Sequence, residues 1–192
     1  MPYPKSQNTL DTLMEGNFRY AAGQYRGPDT SSEYRKALLN GQRPMAAVVA
    51  CSDSRVTPEI IFDLGLGDLF VIRTAGNIVD DIEMESIDFA VHHLSVPLVL
   101  ILGHTRCGAV TAVARLKKIS PADGKIAHFL APSIENARHF SRDLIKGAVL
   151  ANITATVSRL SRMDRFAPLI AEKSLQICGG LYQLESGKVQ FI

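Results

Sequence analysis

Three short apolar runs that do not alternate with polar residues constrain this chain most: residues 45–50 (MAAVVA), 69–74 (LFVIRT) and 97–103 (PLVLILG). A strand with one face in water alternates apolar and polar side chains, whereas a continuous run fits a strand covered on both faces of a parallel sheet. Between the second and third runs, Met84, Ile87, Phe89, Ala90, Val91 and Leu94 recur at helical spacing, which predicts a crossover helix over 84–95. The same spacing predicts helices from Leu10 to Ala22, over 108–118 and over 142–163. The end of the chain, LQICGGLYQL then ESG then KVQFI, predicts two strands joined by a tight turn. The expected fold class is α/β, a mostly parallel β-sheet flanked by helices with an antiparallel edge strand. Residues 117–141 carry no specific pattern and are expected to be helical and loop material.

With 192 residues the chain is expected to form a single domain, 1–192, in which 1–40 is an N-terminal helical arm and 41–192 the α/β core. The arm could pack on its own core or on a partner. A formal charge of +2, with bases and acids interleaved, gives no electrostatic case for nucleic acid or an anionic membrane. No apolar run approaches a membrane span, and the polar, proline-punctuated start MPYPKSQNTL lacks the apolar stretch of a signal peptide. Three cysteines leave at least one thiol unpaired, so a reducing, cytoplasmic setting is the simpler reading.

Two of the apolar runs end in chemistry. Ala50 leads into Cys51, Ser52, Asp53, Ser54 and Arg55, and Gly103 leads into His104, Thr105, Arg106, Cys107 and Gly108. In open α/β sheets ligands gather beyond the carboxyl ends of strands. Two cysteines and a histidine brought together there make a soft set suited to Zn²⁺, its fourth position open to water or to the Asp53 carboxylate. The alternative, in which Cys51 and Cys107 are small buried hydrophobes and His104 a satisfied core side chain, needs two polar clusters to fall at strand ends by coincidence. Rival chemistries lack their residues. Only three residues separate Cys51 from Arg55, too few for a cysteine phosphatase or sulfurtransferase loop. The zinc deaminase signature, C-x-x-C, G-x-S-x-G and Walker A patterns are missing, and Gly65-Leu66-Gly67-Asp68 precedes its strand instead of following it.

Residues 50–79 (ACSDSRVTPEIIFDLGLGDLFVIRTAGNIV) and 96–110 (VPLVLILGHTRCGAV) together resemble the β-class carbonic anhydrases. The likeness runs from Glu15-Gly16-Asn17-Phe18 to Tyr182-Gln183-Leu184-Glu185-Ser186-Gly187. It implies a zinc lyase interconverting CO₂ with bicarbonate and a proton through a zinc-bound hydroxide, with one Zn²⁺ per chain. It also implies a dimer or tetramer in which the N-terminal helix extends onto a partner subunit. The implied metal ligands are Cys51, His104 and Cys107, with Asp53 as the fourth ligand in a closed state. Asp53 and Arg55 form the implied catalytic dyad, Arg55 holding the carboxylate off the metal. A carboxylate within reach of both partners implies a pH-dependent gate. The implied substrate contacts are Gln42, Gly108, Phe70, Ala75 and Phe89, part of this lining crossing from the neighbouring subunit. An allosteric bicarbonate pocket found in some relatives requires a tryptophan, an arginine and a tyrosine; the matching positions are Val48, Arg73 and Phe89, so that pocket is expected to be absent. Hydrolysis of CS₂ or COS on the same scaffold, or a non-catalytic protein with a structural zinc, are the alternatives. His92 and His93 are expected on the crossover helix and Cys178 as a buried free thiol.

Overall fold

The computed structural model describes residues 6–192; the first five residues of the polar start lie outside the described residues. In chain order come α1 (Ser6–Ala21), α2 (Ser32–Ala37), β1 (Ala46–Cys51), α3 (Pro58–Ile61), β2 (Leu69–Thr74), α4 (Asp81–His92) and β3 (Leu98–His104). Then follow α5 (Gly108–Ala114), α6 (Gly124–Phe140), α7 (Leu144–Ser161), α8 (Ala167–Ala171), β4 (Gln176–Tyr182) and β5 (Val189–Phe191). The strands form one sheet in the order β2-β1-β3-β4-β5, parallel except for the β4–β5 pair. This is the expected α/β class with its antiparallel edge.

The apolar runs are continuous because both faces of the sheet are covered. Strand periodicity sends Ala47, Val49 and Cys51 into the core shared with α4, α5, α6 and α7. It sends Ala46, Val48 and Ala50 into the opposite core, with Leu13 of α1 and Ile61 of α3. All of β1 and β3 is buried, and each leucine or isoleucine so covered contributes about 1.5–3 kcal/mol relative to exposure.

Two glycines of β3 and β4 decide how near α7 can come. A Cβ at Gly103 would lie 2.7 Å from Val149 and from Ile153, and one at Gly179 would lie 2.5 Å from Ile153. Without those atoms α7 beds directly onto the strands.

The helix boundaries differ from the periodicity for identifiable reasons. α4 begins three residues before Met84 because Asp80 and Glu83 form a capping box at its start. α5 stops at Ala114, whose carbonyl accepts from Arg138 Nη2 at 3.1 Å, so Lys117 and Lys118 lie beyond the helix. α7 begins after Asp143, whose carboxylate accepts from the Lys146 N–H at 3.0 Å. In the region without a sequence signal, α6 runs through Pro132 and buries Ala127, Leu130, Ile134 and Ala137.

α1 docks on its own chain. Asn17 donates to the carbonyls of Ile61 and Gly187 at 3.2 and 2.8 Å and accepts from the Val189 N–H at 2.8 Å. Residues 22–33 that follow are exposed, and α2 buries none of its residues. Among the described residues no helix is long and apolar enough to cross a membrane.

The docking of α1 is testable at one atom. A Cβ at Gly16 would sit 1.8 Å from the Phe62 carbonyl oxygen, whereas one at Gly108 would meet nothing within 4 Å. Gly16→Ala is expected to destabilise the protein by at least about 1–3 kcal/mol, and Gly108→Ala to leave the urea midpoint within about 0.5 kcal/mol of the parent. Equal midpoints for the two variants would refute this account of α1 packing.

Candidate metal centre

The strand order places a topological switch between β1 and β3: after β1 the chain adds β2 on one side, then returns to add β3 on the other. Cys51 is the last residue of β1 and His104 the last of β3, while Cys107 caps the start of α5. All three are buried, with 4%, 0% and 1% exposure. The two sulfurs are 3.9 Å apart, and the three donor atoms lie within 4.8 Å of one another.

The protonation pattern fits a metal. His104 Nδ1 lies 2.9 Å from the Thr105 carbonyl oxygen. A carbonyl only accepts, so Nδ1 carries a hydrogen and Nε2 offers its lone pair to the cluster. Nε2 is buried with no hydrogen-bond partner among the described residues. A buried polar atom is seldom left so. The thiols are matched to each other: the hydrogen bond from Cys107 lowers the Cys51 pKa, and the same contact, together with burial, raises that of Cys107. The contact thus favours deprotonation of Cys51 and opposes that of Cys107. A divalent cation would take both sulfurs as thiolates, with His104 Nε2 as third ligand. Two soft sulfurs and one imidazole nitrogen suit Zn²⁺.

Asp53 lies just past β1. Its Oδ1 accepts from Arg55 Nε at 2.9 Å and from the Arg55 backbone N–H at 3.0 Å, and its Oδ2 from Arg55 Nη2 at 2.8 Å. This forked contact is the main reason its carboxyl stays well below the usual carboxylate range. Oδ2 is also 3.9 Å from His104 Nε2. Both carboxylate oxygens are engaged by Arg55, beside the donor cluster and not within it.

The remaining sequence-selected residues separate into two places. Ala75 follows β2 and lines a cavity of about 330 Å³ with Thr74, Ile78, Ile126 and Phe129. Thr74 is the strand partner of Cys51, so Ala75 is at the same end of the sheet as the cluster. Gly108, exposed at the start of α5, is next to Cys107. Gln42, Phe70 and Phe89 are elsewhere. Gln42 is exposed in the segment entering β1, a strand that rises about 17 Å from that end to Cys51. Phe70 pairs with Ala47, near that same end, and its ring lies 6.1 Å from that of Phe89. Val48 is wholly buried, and His92 and His93 close α4. Cys178 pairs with Leu100 in the sheet as a partly buried free thiol, and burial pushes its pKa up to about 12.

Several supporting residues were not singled out by the sequence. Gly76 donates its backbone N–H to Cys51 Sγ at 3.3 Å, and Asn152 Nδ2 donates to the Gly76 carbonyl at 3.1 Å. Arg73, weighed in the sequence only for an allosteric pocket, donates to the carbonyls of Cys51 at 3.1 Å and Asp53 at 2.7 Å. Thr105 accepts from the Leu184 N–H and donates to Glu185, tying the ligand loop to the β4–β5 hairpin. Only the glycine carried a local signal, in the run Thr74-Ala75-Gly76-Asn77 after a strand.

Known proteins resemble this chain in sequence and fold. A family model described as carbonic anhydrase matches residues 46–189. The chain is 38% identical over 193 residues to carbonic anhydrase 2 of Mycobacterium tuberculosis, covering 98% of this chain and 93% of that protein. The solved structure of the β-carbonic anhydrase CcaA superposes with a TM-score of 0.75 at 27% identity, over 95% of this chain and 94% of that one. One of two tetrameric β-carbonic anhydrases of Sordaria macrospora shares the fold with a TM-score of 0.76 at 24% identity, over 96% and 97% of the two chains. The family match takes in both strand ends that carry the cysteines and the histidine, and the chain belongs to the β-class carbonic anhydrase family.

Proposed function

We propose that this chain catalyses the reversible hydration of CO₂ to bicarbonate and a proton, with one Zn²⁺ held by Cys51, His104 and Cys107. The observation that carries the reading is the buried Nε2 of His104, without a hydrogen-bond partner among the described residues, beside two buried sulfurs 3.9 Å apart. Zinc supplies Lewis acidity there, making a nucleophile from water near neutral pH.

The chain's own residues supply orientation. Asp53 remains a carboxylate in the grip of Arg55, so it accepts a hydrogen bond from the attacking water and does not carry the proton away. The carbon–oxygen bond forms as the water gives up its proton to solvent, and the reaction balances as CO₂ and H₂O giving HCO₃⁻ and H⁺. Arg55 holds both Asp53 oxygens beside the three donors, so a zinc ion bound by Cys51, His104 and Cys107 would be free to take water as a further ligand. Arg73 commits Nε and Nη2 to the Cys51 and Asp53 carbonyls, which leaves Nη1 for any other partner.

A single copy of the chain leaves the site incomplete. Gln42, Phe70 and Phe89 lie at the amino end of the sheet and cannot reach the cluster of their own subunit. They act on the site of a neighbouring copy, Gln42 through its amide on bicarbonate and the two phenylalanines as apolar wall. The tetrameric Sordaria macrospora relatives and the exposed arm over 22–33 support such an assembly. With Cys51 and Cys107 on the metal, the one remaining thiol, Cys178, is compatible with a cytoplasmic setting.

Two measurements test these assignments. Asp53→Asn should keep zinc near one per chain while lowering kcat/KM for CO₂ in stopped flow by about 100-fold or more; parental turnover would remove Asp53 from the mechanism. The shared site is tested by mixing. Cys51→Ser and Gln42→Ala subunits, each poorly active alone, are expected on co-expression to regain about a quarter of the parental sites, because a hybrid dimer has one site with both residues intact. No recovery in isolated hybrid dimers would mean that Gln42 serves no neighbouring site.

A further inference from the structure

One buried side chain, far from the donor cluster in sequence, is connected to it through a single residue. Asn152 of α7 is 8% exposed, and its Nδ2 donates to the Gly76 carbonyl oxygen across 76 positions of sequence. Gly76 in turn points its backbone N–H at Cys51 Sγ. Its φ of 74° and ψ of 21° are left-handed, a conformation in which glycine is least strained. Holding the carbonyl of such a residue limits rotation about ψ, and so limits where its N–H can aim. Space is limited as well: a Cβ at Gly76 would stand 3.3 Å from Leu130 Cδ1.

The approach of α7 to the sheet makes this contact possible. Val149 and Ile153 flank Asn152 in sequence and rest where Gly103 and Gly179 lack side chains. The helix is thereby seated closely enough for a short amide to reach the turn after β2. A buried asparagine costs desolvation unless its amide is used. Here it is used on a residue that donates a backbone hydrogen bond to a metal-ligand sulfur.

We infer that Asn152 is a positioning residue for the metal centre: by fixing Gly76 it aims a hydrogen bond at the Cys51 sulfur and so sets how firmly the metal is retained and how strongly that thiolate donates. The inference rests on the reading of Cys51, His104 and Cys107 as zinc ligands. An N–H directed at a thiolate draws electron density from the sulfur and holds its lone pairs in place. Such outer partners of metal ligands typically change metal affinity by about 10–100-fold.

The test uses the full-length protein loaded with Zn²⁺, and with Co²⁺ in its place. Asn152→Leu keeps the side-chain size and removes the donor; Asn152→Ser serves if the leucine variant does not fold. Thr156→Val, one helical turn along α7 and 6% exposed in the parent, controls for the loss of any buried polar group. The Asn152 variant is expected to release zinc to a chelator about 10-fold faster or more, and to shift the sulfur-to-cobalt charge-transfer band to longer wavelength. Thr156→Val should do neither. An Asn152 variant that loses stability but keeps the parental release rate and band would show an ordinary buried asparagine and overturn the inference. A parent protein without a sulfur-to-cobalt band would instead overturn the zinc assignment, and this inference with it.

Discussion

Three lone-pair donors are held out of water at one point of this fold, and among the described residues one of them has no hydrogen-bond partner. Cys51, His104 and Cys107 are each less than 5% exposed, the two sulfurs lie 3.9 Å apart, and His104 Nε2 is the unpartnered atom. A buried polar atom left unpaired costs about 1–3 kcal/mol, so the centre is held in place by the surrounding fold and not by contacts of its own. Binding of a divalent cation turns that cost into coordination and couples metal affinity to the stability of the whole chain.

The architecture supplies this point from elements formed for other reasons. β1 and β3 are parallel neighbours because their runs are apolar on both faces, and two such strands end at the same edge of the sheet. Cys51 and His104 are thus brought together by strand register alone. Cys107 joins them because the turn after β3 passes through Arg106 at a φ of 55° and starts a helix at once. Residues of the opposite sheet face, Leu98, Leu100 and Leu102, take no part in the chemistry. They determine only that β3 lies where its last residue is useful.

Strand positions and the meeting of Cys51, His104 and Cys107 were legible because each depends on local sequence. The run 97–103 identifies β3, and the histidine of the cluster is the residue after it. Asp53 and Arg55 pair across a short turn, so spacing alone brings them together. What escaped depended on distant packing. Nothing near Asn152 marks it as different from any polar residue on a helix; its partner becomes visible only once Gly103 and Gly179 have let α7 approach. Helix α6 escaped because Pro132 interrupts an otherwise regular face of Ala127, Leu130, Ile134 and Ala137. Gln42 was read as a contact through the family likeness, and the strand between it and Cys51 places the two at opposite ends of the sheet, so within one chain the contact is not formed.

Two guanidinium groups serve the segment after β1 in different ways, and the difference bears on any gating by Asp53. Arg55 holds the carboxylate through a fork of two nitrogens, whereas Arg73 holds the backbone through the carbonyls of Cys51 and Asp53. A carboxylate turning toward the metal ligands must leave Arg55, but it need not disturb Arg73. The segment would keep its path while χ angles of one side chain changed, and Oδ2 begins only 3.9 Å from His104 Nε2. Exchange between the two positions is therefore a matter of which partner holds the carboxylate more strongly, not of loop rearrangement. Because Arg55 is more than half exposed and reaches the site from solvent, its hold is weakened by salt and by competing anions. The fold thus fixes where Asp53 is anchored and leaves its orientation to the group least protected from the medium.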